Sequence, residues 1–153
     1  MADWVKIVLT AAVTLIGGTI LFGVSEVVKV LVLAPLQKFK AHVQLTLDRI
    51  DFYANRITNP FSENPTDDER RLMAQIQADL RSAATGLSST YVTISLRKVL
   101  IKLKIIPKQE AITKAYGALM YLSNSLLVRG HMDEADNPRN NHAKIEEIKA
   151  ALL

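Results

Sequence analysis

The 153-residue chain has no cysteine. That excludes a disulfide framework, a zinc ribbon, an iron–sulfur cluster and a thiol nucleophile, and it leaves redox chemistry silent about the compartment. Charge is also scarce, at 22% of residues against 49% apolar. There is no glycine-rich phosphate loop and no Gly-x-Ser-x-Gly elbow, the two short signatures that would point to nucleotide or acyl chemistry. No segment is low-complexity or repeated, and no pair of strand-like runs is joined by a hairpin turn. A length near ~150 residues is that of one domain.

The apolar residues are concentrated at one end. From Ile7 to Ser25 no residue is charged, and Lys6 and Glu26 bound the run. Its 19 residues make a helix of roughly 28 Å, close to the ~30 Å hydrocarbon core of a bilayer. A transmembrane helix is therefore expected. The apolar region of a signal peptide is typically ~7–15 residues long and ends in a small-x-small site, whereas here Glu26, Val27, Val28 and Lys29 lead into more Val and Leu. A core helix apolar on every face would need a shell of protein that so short a chain hardly supplies.

Basic residues are retained on the cytoplasmic side of a bacterial inner membrane. Lys6 stands alone before the span, opposed by Asp3, whereas Lys29, Lys38, Lys40 and Arg49 follow it. The N-terminus is expected outside and the remainder in the cytoplasm. Within the span, Thr10, Thr14, Gly17, Gly18 and Gly23 are small positions at which a second helix could approach closely, as membrane helix pairs do.

Beyond the span the periodicity is helical throughout. The expected division is an anchor over residues 1–35 and an all-α cytosolic bundle of about five helices over 36–153. Pro35 predicts a kink or break, because proline removes a backbone donor and clashes with the preceding turn. Leu36, Phe39, Val43, Leu47, Ile50, Ala54 and Ile57 mark one amphipathic helix ended by Asn59-Pro60. Thr66 and Glu69 form a capping-box pattern ahead of a second, with Met73, Ile76, Leu80, Ala83 and Leu87 on its apolar face and Gly86 near its stop. A third is expected from Ser89 to Lys104, although Val92 to Leu96 alternates like a strand. A fourth, Lys108 to Arg129, closes at Gly130. After a polar loop from His131 to Asp136, Asn137 and Pro138 fit the cap and first position of a fifth.

On a single third helix Ile94, Ile101 and Ile105 fall opposite Val92, Leu96, Val99 and Leu103, with basic residues between. One row can face the core, and the isoleucines are assigned to a partner copy or lipid, since soluble monomers seldom leave such rows in water. Together with the small residues of the span, this predicts a homo-oligomer. Arg97, Lys98, Lys102, Lys104, Lys108 and Lys114 stand against one Glu110. Such a face suits anionic headgroups or a nucleic-acid-bearing partner, or is simply a solvated surface. His131, Asp133, Glu134, Asp136 and His142 match no zinc or calcium spacing, so neither metal nor cofactor is expected.

Arg139-Asn140-Asn141-His142 resembles the Arg/His pair of HEPN ribonucleases, in which four to six residues separate the two; here two intervene, and no catalytic residue is assigned beyond this weak pair. Tyr53-Ala54-Asn55 with Asn59-Pro60, Leu122-Ser123-Asn124-Ser125-Leu126 following Leu119, and Ile145-Glu146-Glu147-Ile148 resemble a widespread group of small bacterial single-pass membrane proteins with a helical cytosolic domain. The layout is also similar to the membrane accessory proteins of type VI-B CRISPR systems. These resemblances imply a non-enzymatic, pore-like or membrane-perturbing accessory, with an anchored RNA-processing enzyme or a passive tether as alternatives. Tyr53, Asn55 and Asn124 would then be either a binding site or hydrogen bonds within the bundle, the latter being the commoner use of such groups.

Overall fold

A computed structural model describes residues 2–59, 65–126 and 138–153, and the described residues are helical with no strand. Helix α1 spans Ala2–Val28, passes through a π-helical turn at Lys29–Leu33, and continues as α2 over Ala34–Thr58. Helices α3 (Asp67–Val92), α4 (Arg97–Lys102), α5 (Gln109–Ser125) and α6 (Pro138–Leu152) follow.

Of the kink or break expected at Pro35, the break does not occur, and the helix is locally irregular just before the proline, in the π-helical turn. The Ala34 amide bonds the carbonyl of Lys29, five residues back, instead of four. That wider turn relieves the crowding that a proline ring imposes on the carbonyl before it, so the helix carries on without a stop. One helix of 56 residues, Asp3–Thr58, results, about 84 Å long at ~1.5 Å per residue.

Helices α2, α3, α5 and α6 form the bundle. Extensive contacts join α2 to α3, α3 to α5, α5 to α6 and α6 back to α2, which closes a four-membered ring. Cross-helix contacts show that all four are antiparallel, α5 against α6 included, where Lys144 stands over the Tyr121 ring near one end and Lys108 and Ala151 line one groove at the other. Phe39 stacks edge-on against Tyr91 at 5.5 Å, while at the other end of the same pair Tyr53 meets Asp79. Arg81 of α3 reaches Asn124 of α5, and Lys149 of α6 reaches Asp51 of α2. The bundle therefore has a base, where α1 enters α2 and α3 ends, and a far end, where α2 ends and α6 begins.

The expected stripes of α2 and α3 supply part of the core, and the apolar faces of α5 and α6 complete it. Phe39, Ile50 and Ile57 of α2 and Ile76, Leu80, Ala83 and Leu87 of α3 are buried. So are Ile112, Ala115, Leu119 and Leu122 of α5, and Ile145, Ile148 and Leu152 of α6. The capping box forms as expected: the Thr66 hydroxyl accepts from the Glu69 amide at 3.3 Å and the Glu69 carboxylate accepts from the Thr66 amide at 2.8 Å.

Two boundaries differ from expectation. Helix α3 runs through Gly86 to Val92; Gly86 is a point of close approach, not a stop. A Cβ there would lie 2.8 Å from Nδ1 of His42 on α2, too near for any other residue without movement. The expected single helix from Ser89 to Lys104 is two pieces, the end of α3 and the short α4, separated by a turn over 93–96. The end expected for α5 at Arg129, the loop from His131 to Asp136 and the Asn137 cap lie outside the described residues.

Candidate functional site

The split of the third helix changes which apolar residues are outside. Ile94 lies in the turn and is 3% exposed, packed in the core. Ile101 packs half-buried against that core, and only Ile105 of the three isoleucines is exposed, at 41%. The isoleucine row assigned to a partner or lipid is corrected accordingly. The wheel that grouped those residues assumes 100° per residue from 89 to 104, and the turn at 93–96 breaks that phase. The opposite set is the exposed one: Val92 is 55% exposed, Leu96 61%, Val99 51% and Leu103 62%. The strand-like alternation from Val92 to Leu96 was the signal for this turn.

Unusual backbone holds α4 in place. Leu96, its N-cap, has φ 58°, and Lys104, just past its end, has φ 57°. Non-glycine residues adopt this left-handed conformation at a cost of roughly 1 kcal/mol. At the C-terminus the Ile105 amide bonds the Leu100 carbonyl at 2.9 Å and the Lys104 amide bonds that of Ile101 at 3.0 Å. That is a Schellman closure with lysine where glycine is usual. The Tyr91 hydroxyl donates to the carbonyl of Pro107 at 2.9 Å, tying the segment to α3 across its ends.

The basic residues follow the same local geometry. Lys98, Lys102, Lys104, Lys108 and Lys114 are exposed; Arg97 is half-buried, its guanidinium 5.8 Å over the Tyr91 ring. Since α4 joins the end of α3 to the start of α5, these charges lie at the base, with Lys38 and Lys40 exposed in the first turns of α2. An open groove of about 360 Å³ between α5 and α6 is lined there by Lys108, Lys114, Glu110 and Glu147.

In α1, Thr10, Thr14, Gly18 and Gly23 are exposed and Gly17 is half-exposed. The Thr14 hydroxyl donates to the Thr10 carbonyl at 2.8 Å and that of Thr19 to the Leu15 carbonyl at 2.9 Å. Such bonds satisfy the hydroxyls within the helix, as a dry environment requires. A Cβ on Gly17, Gly18 or Gly23 would meet nothing within 4 Å, so the small-residue surface is open.

Arg139 and His142 are exposed in the first turns of α6, whereas Asn141 between them is buried. The Asn141 amide donates to the carbonyl of Ile57 at 2.8 Å, satisfying the last turn of α2. Among the described residues no group of three or more His, Asp or Glu side chains could hold a metal ion.

Tyr53 and Asn124 serve as hydrogen-bonding groups between helices, and Asn55 bonds the side chain of Asn59 at the end of α2. The Tyr53 hydroxyl donates to the Asp79 carboxylate at 2.7 Å, and Arg49 donates to the Asp79 carbonyl at 2.9 Å. Burial, then the bond to Asp79, raises the Tyr53 pKa above its usual 10.0, and burial raises that of Tyr91. A raised phenol pKa contributes stability that is fully present below pH ~10 and is lost as pH climbs through the folded value. Bundle stability, followed by denaturant titration, should therefore fall above pH ~10, and Tyr53→Phe should flatten that fall while costing about 1 kcal/mol at neutral pH through the lost hydrogen bond.

No family model, curated protein or solved structure matches the chain.

Proposed function

We propose that this is a single-pass membrane protein, held by α1 in the bacterial inner membrane with the bundle in the cytoplasm. In this reading it self-associates and acts without catalysis, as a pore-like or membrane-perturbing accessory. The observation that carries the reading is the state of α1. Its most apolar 18-residue window has no part buried inside the protein, although a soluble protein would place so apolar a helix in its core. Left in water, side chains such as Ile7, Leu15, Leu21 and Phe22 would each forfeit about 1.5–3 kcal/mol of burial. The open glycines of α1 supply a surface for close helix pairing. The orientation follows from the excess of lysine after the span, and a place in antiviral defence rests on similarity of layout alone.

The full chain in mild detergent should have the mass of several copies by light scattering, and in vesicles it should release an entrapped dye. Gly17→Leu with Gly18→Leu should reduce both, by obstructing the helix contact. A monomer that releases no dye would overturn the proposal. RNA cleavage by the intact protein that His142→Ala abolishes would favour the anchored RNA-processing enzyme instead.

A further inference from the structure

We propose that α4 and its flanking turns make a second membrane contact: Val92, Leu96, Val99 and Leu103 enter the interface of an anionic leaflet, and the neighbouring lysines hold its headgroups. The inference rests on the reading of α1 as the span, and it commits to lipid as the occupant.

Placement is the first argument. Val32, half-buried, packs against the bundle core and lies seven residues beyond Ser25, where the uncharged run ends, about 10 Å of helix rise. The headgroup region of a bilayer is roughly 5–8 Å deep on each side. With Ile7–Ser25 in the hydrocarbon, the lower edge of the bundle therefore stands at the outer edge of the headgroups, and the exposed Val27, Val28, Val30 and Leu31 between them let the helix sink further and bring α4 to the leaflet surface.

Chemistry is the second. The four apolar side chains are each more than half exposed, and Lys98, Lys102 and Lys104 alternate with them. Their aliphatic stems can lie along an acyl boundary while the ammonium groups reach phosphate, the arrangement of helices that lie in a membrane surface. Lys38 and Lys40 of α2 add to the positive charge at the base, and Glu110 is the nearest acidic counterweight to α4 in sequence. A second copy seated on this face would bring lysine rows against each other, which costs free energy, whereas an anionic leaflet complements them.

The third argument is the backbone. Leu96 is kept in the left-handed region with its side chain 61% exposed. Strain of this kind persists where the surroundings over-determine it, and it concentrates at functional sites.

The absence of native cysteine makes the test direct. Single variants Val99→Cys, Leu103→Cys, Val13→Cys in α1 and Arg71→Cys at the far end of α3 would carry a polarity-sensitive fluorophore. The full chain is reconstituted in phosphatidylcholine vesicles with phosphatidylglycerol and nitroxide-bearing lipid. Labels at 99, 103 and 13 should be blue-shifted and quenched by the lipid nitroxide, and the label at 71 should be neither. Lys98→Gln and Lys102→Gln should each lower the ratio of inserted to free α4 about fivefold, the equivalent of ~1 kcal/mol per lysine at an anionic surface. Water-like, unquenched emission at 99 and 103 alongside quenching at 13 would overturn the inference and leave the span intact. A blue shift at 99 that lipid does not quench and that grows with protein density would also overturn it, in favour of a second copy. An unquenched label at 13 would remove the span reading and this one together.

Discussion

Leu15→Arg combined with Ile20→Arg should shift the protein from the membrane pellet to the non-membrane fraction. The Leu, Ile, Val and Phe residues between Ile7 and Ser25 number ten, and at about −0.3 to −0.6 kcal/mol each they favour insertion by ~3–6 kcal/mol. Two arginines near the middle cost ~5–7 kcal/mol, enough to cancel that gain. The bundle should remain folded by circular dichroism, because the extensive contacts of α1 are confined to the π-helical turn that continues it. Retention of the double variant in the pellet after alkaline carbonate washing would show that α1 is not what holds the protein there.

Leu80→Ala should be the most damaging single truncation in the bundle. Leu80 is fully buried in α3, the helix that packs most extensively on both α2 and α5. Removing a buried leucine side chain beyond Cβ typically costs 2–5 kcal/mol, rising with the cavity that remains. A fully buried site in the same core cluster as Ile50, Ile76, Leu87 and Leu119 has little freedom to collapse, so the upper half of that range, about 3–5 kcal/mol, is expected. Denaturant titration in detergent reads the change. A loss below ~1 kcal/mol would mean that the core around α3 repacks far more readily than its burial implies.

The features legible in sequence are those with local causes. Uncharged length marks α1, a hydroxyl three residues before a carboxylate marks the start of α3, and three-to-four spacing marks the buried faces of α2, α3, α5 and α6. Each is decided within a turn or two of the chain. What was not legible depends on the partner helix. Gly86 has the appearance of a terminator until His42 is placed against it, and Pro35 has the appearance of a break until a wider turn is found just before it. The exposed row at α4 was inverted for a related reason. A residue's face can be read from spacing only while the helix stays in phase, and the turn at 93–96 resets that phase. The contacts between Tyr53, Arg49 and Asp79, and between Asn141 and Ile57, join residues as many as 84 positions apart, for which spacing holds no signal.

The unbroken path from α1 through the π-helical turn into α2 has a mechanical consequence. In the proposed reading, the part within the bilayer and the part outside it are joined by continuous helical backbone with no loop between them, so their rotational settings are coupled. Turning the first about its axis turns the second with it and sweeps α4 around the perimeter. One alanine added within 29–33 would rotate the outer part by about 100° and lift it ~1.5 Å, while four would bring it back to within roughly 40° of its starting azimuth. The helix acts as a shaft, so whatever sets the azimuth of α1 also sets which direction α4 faces.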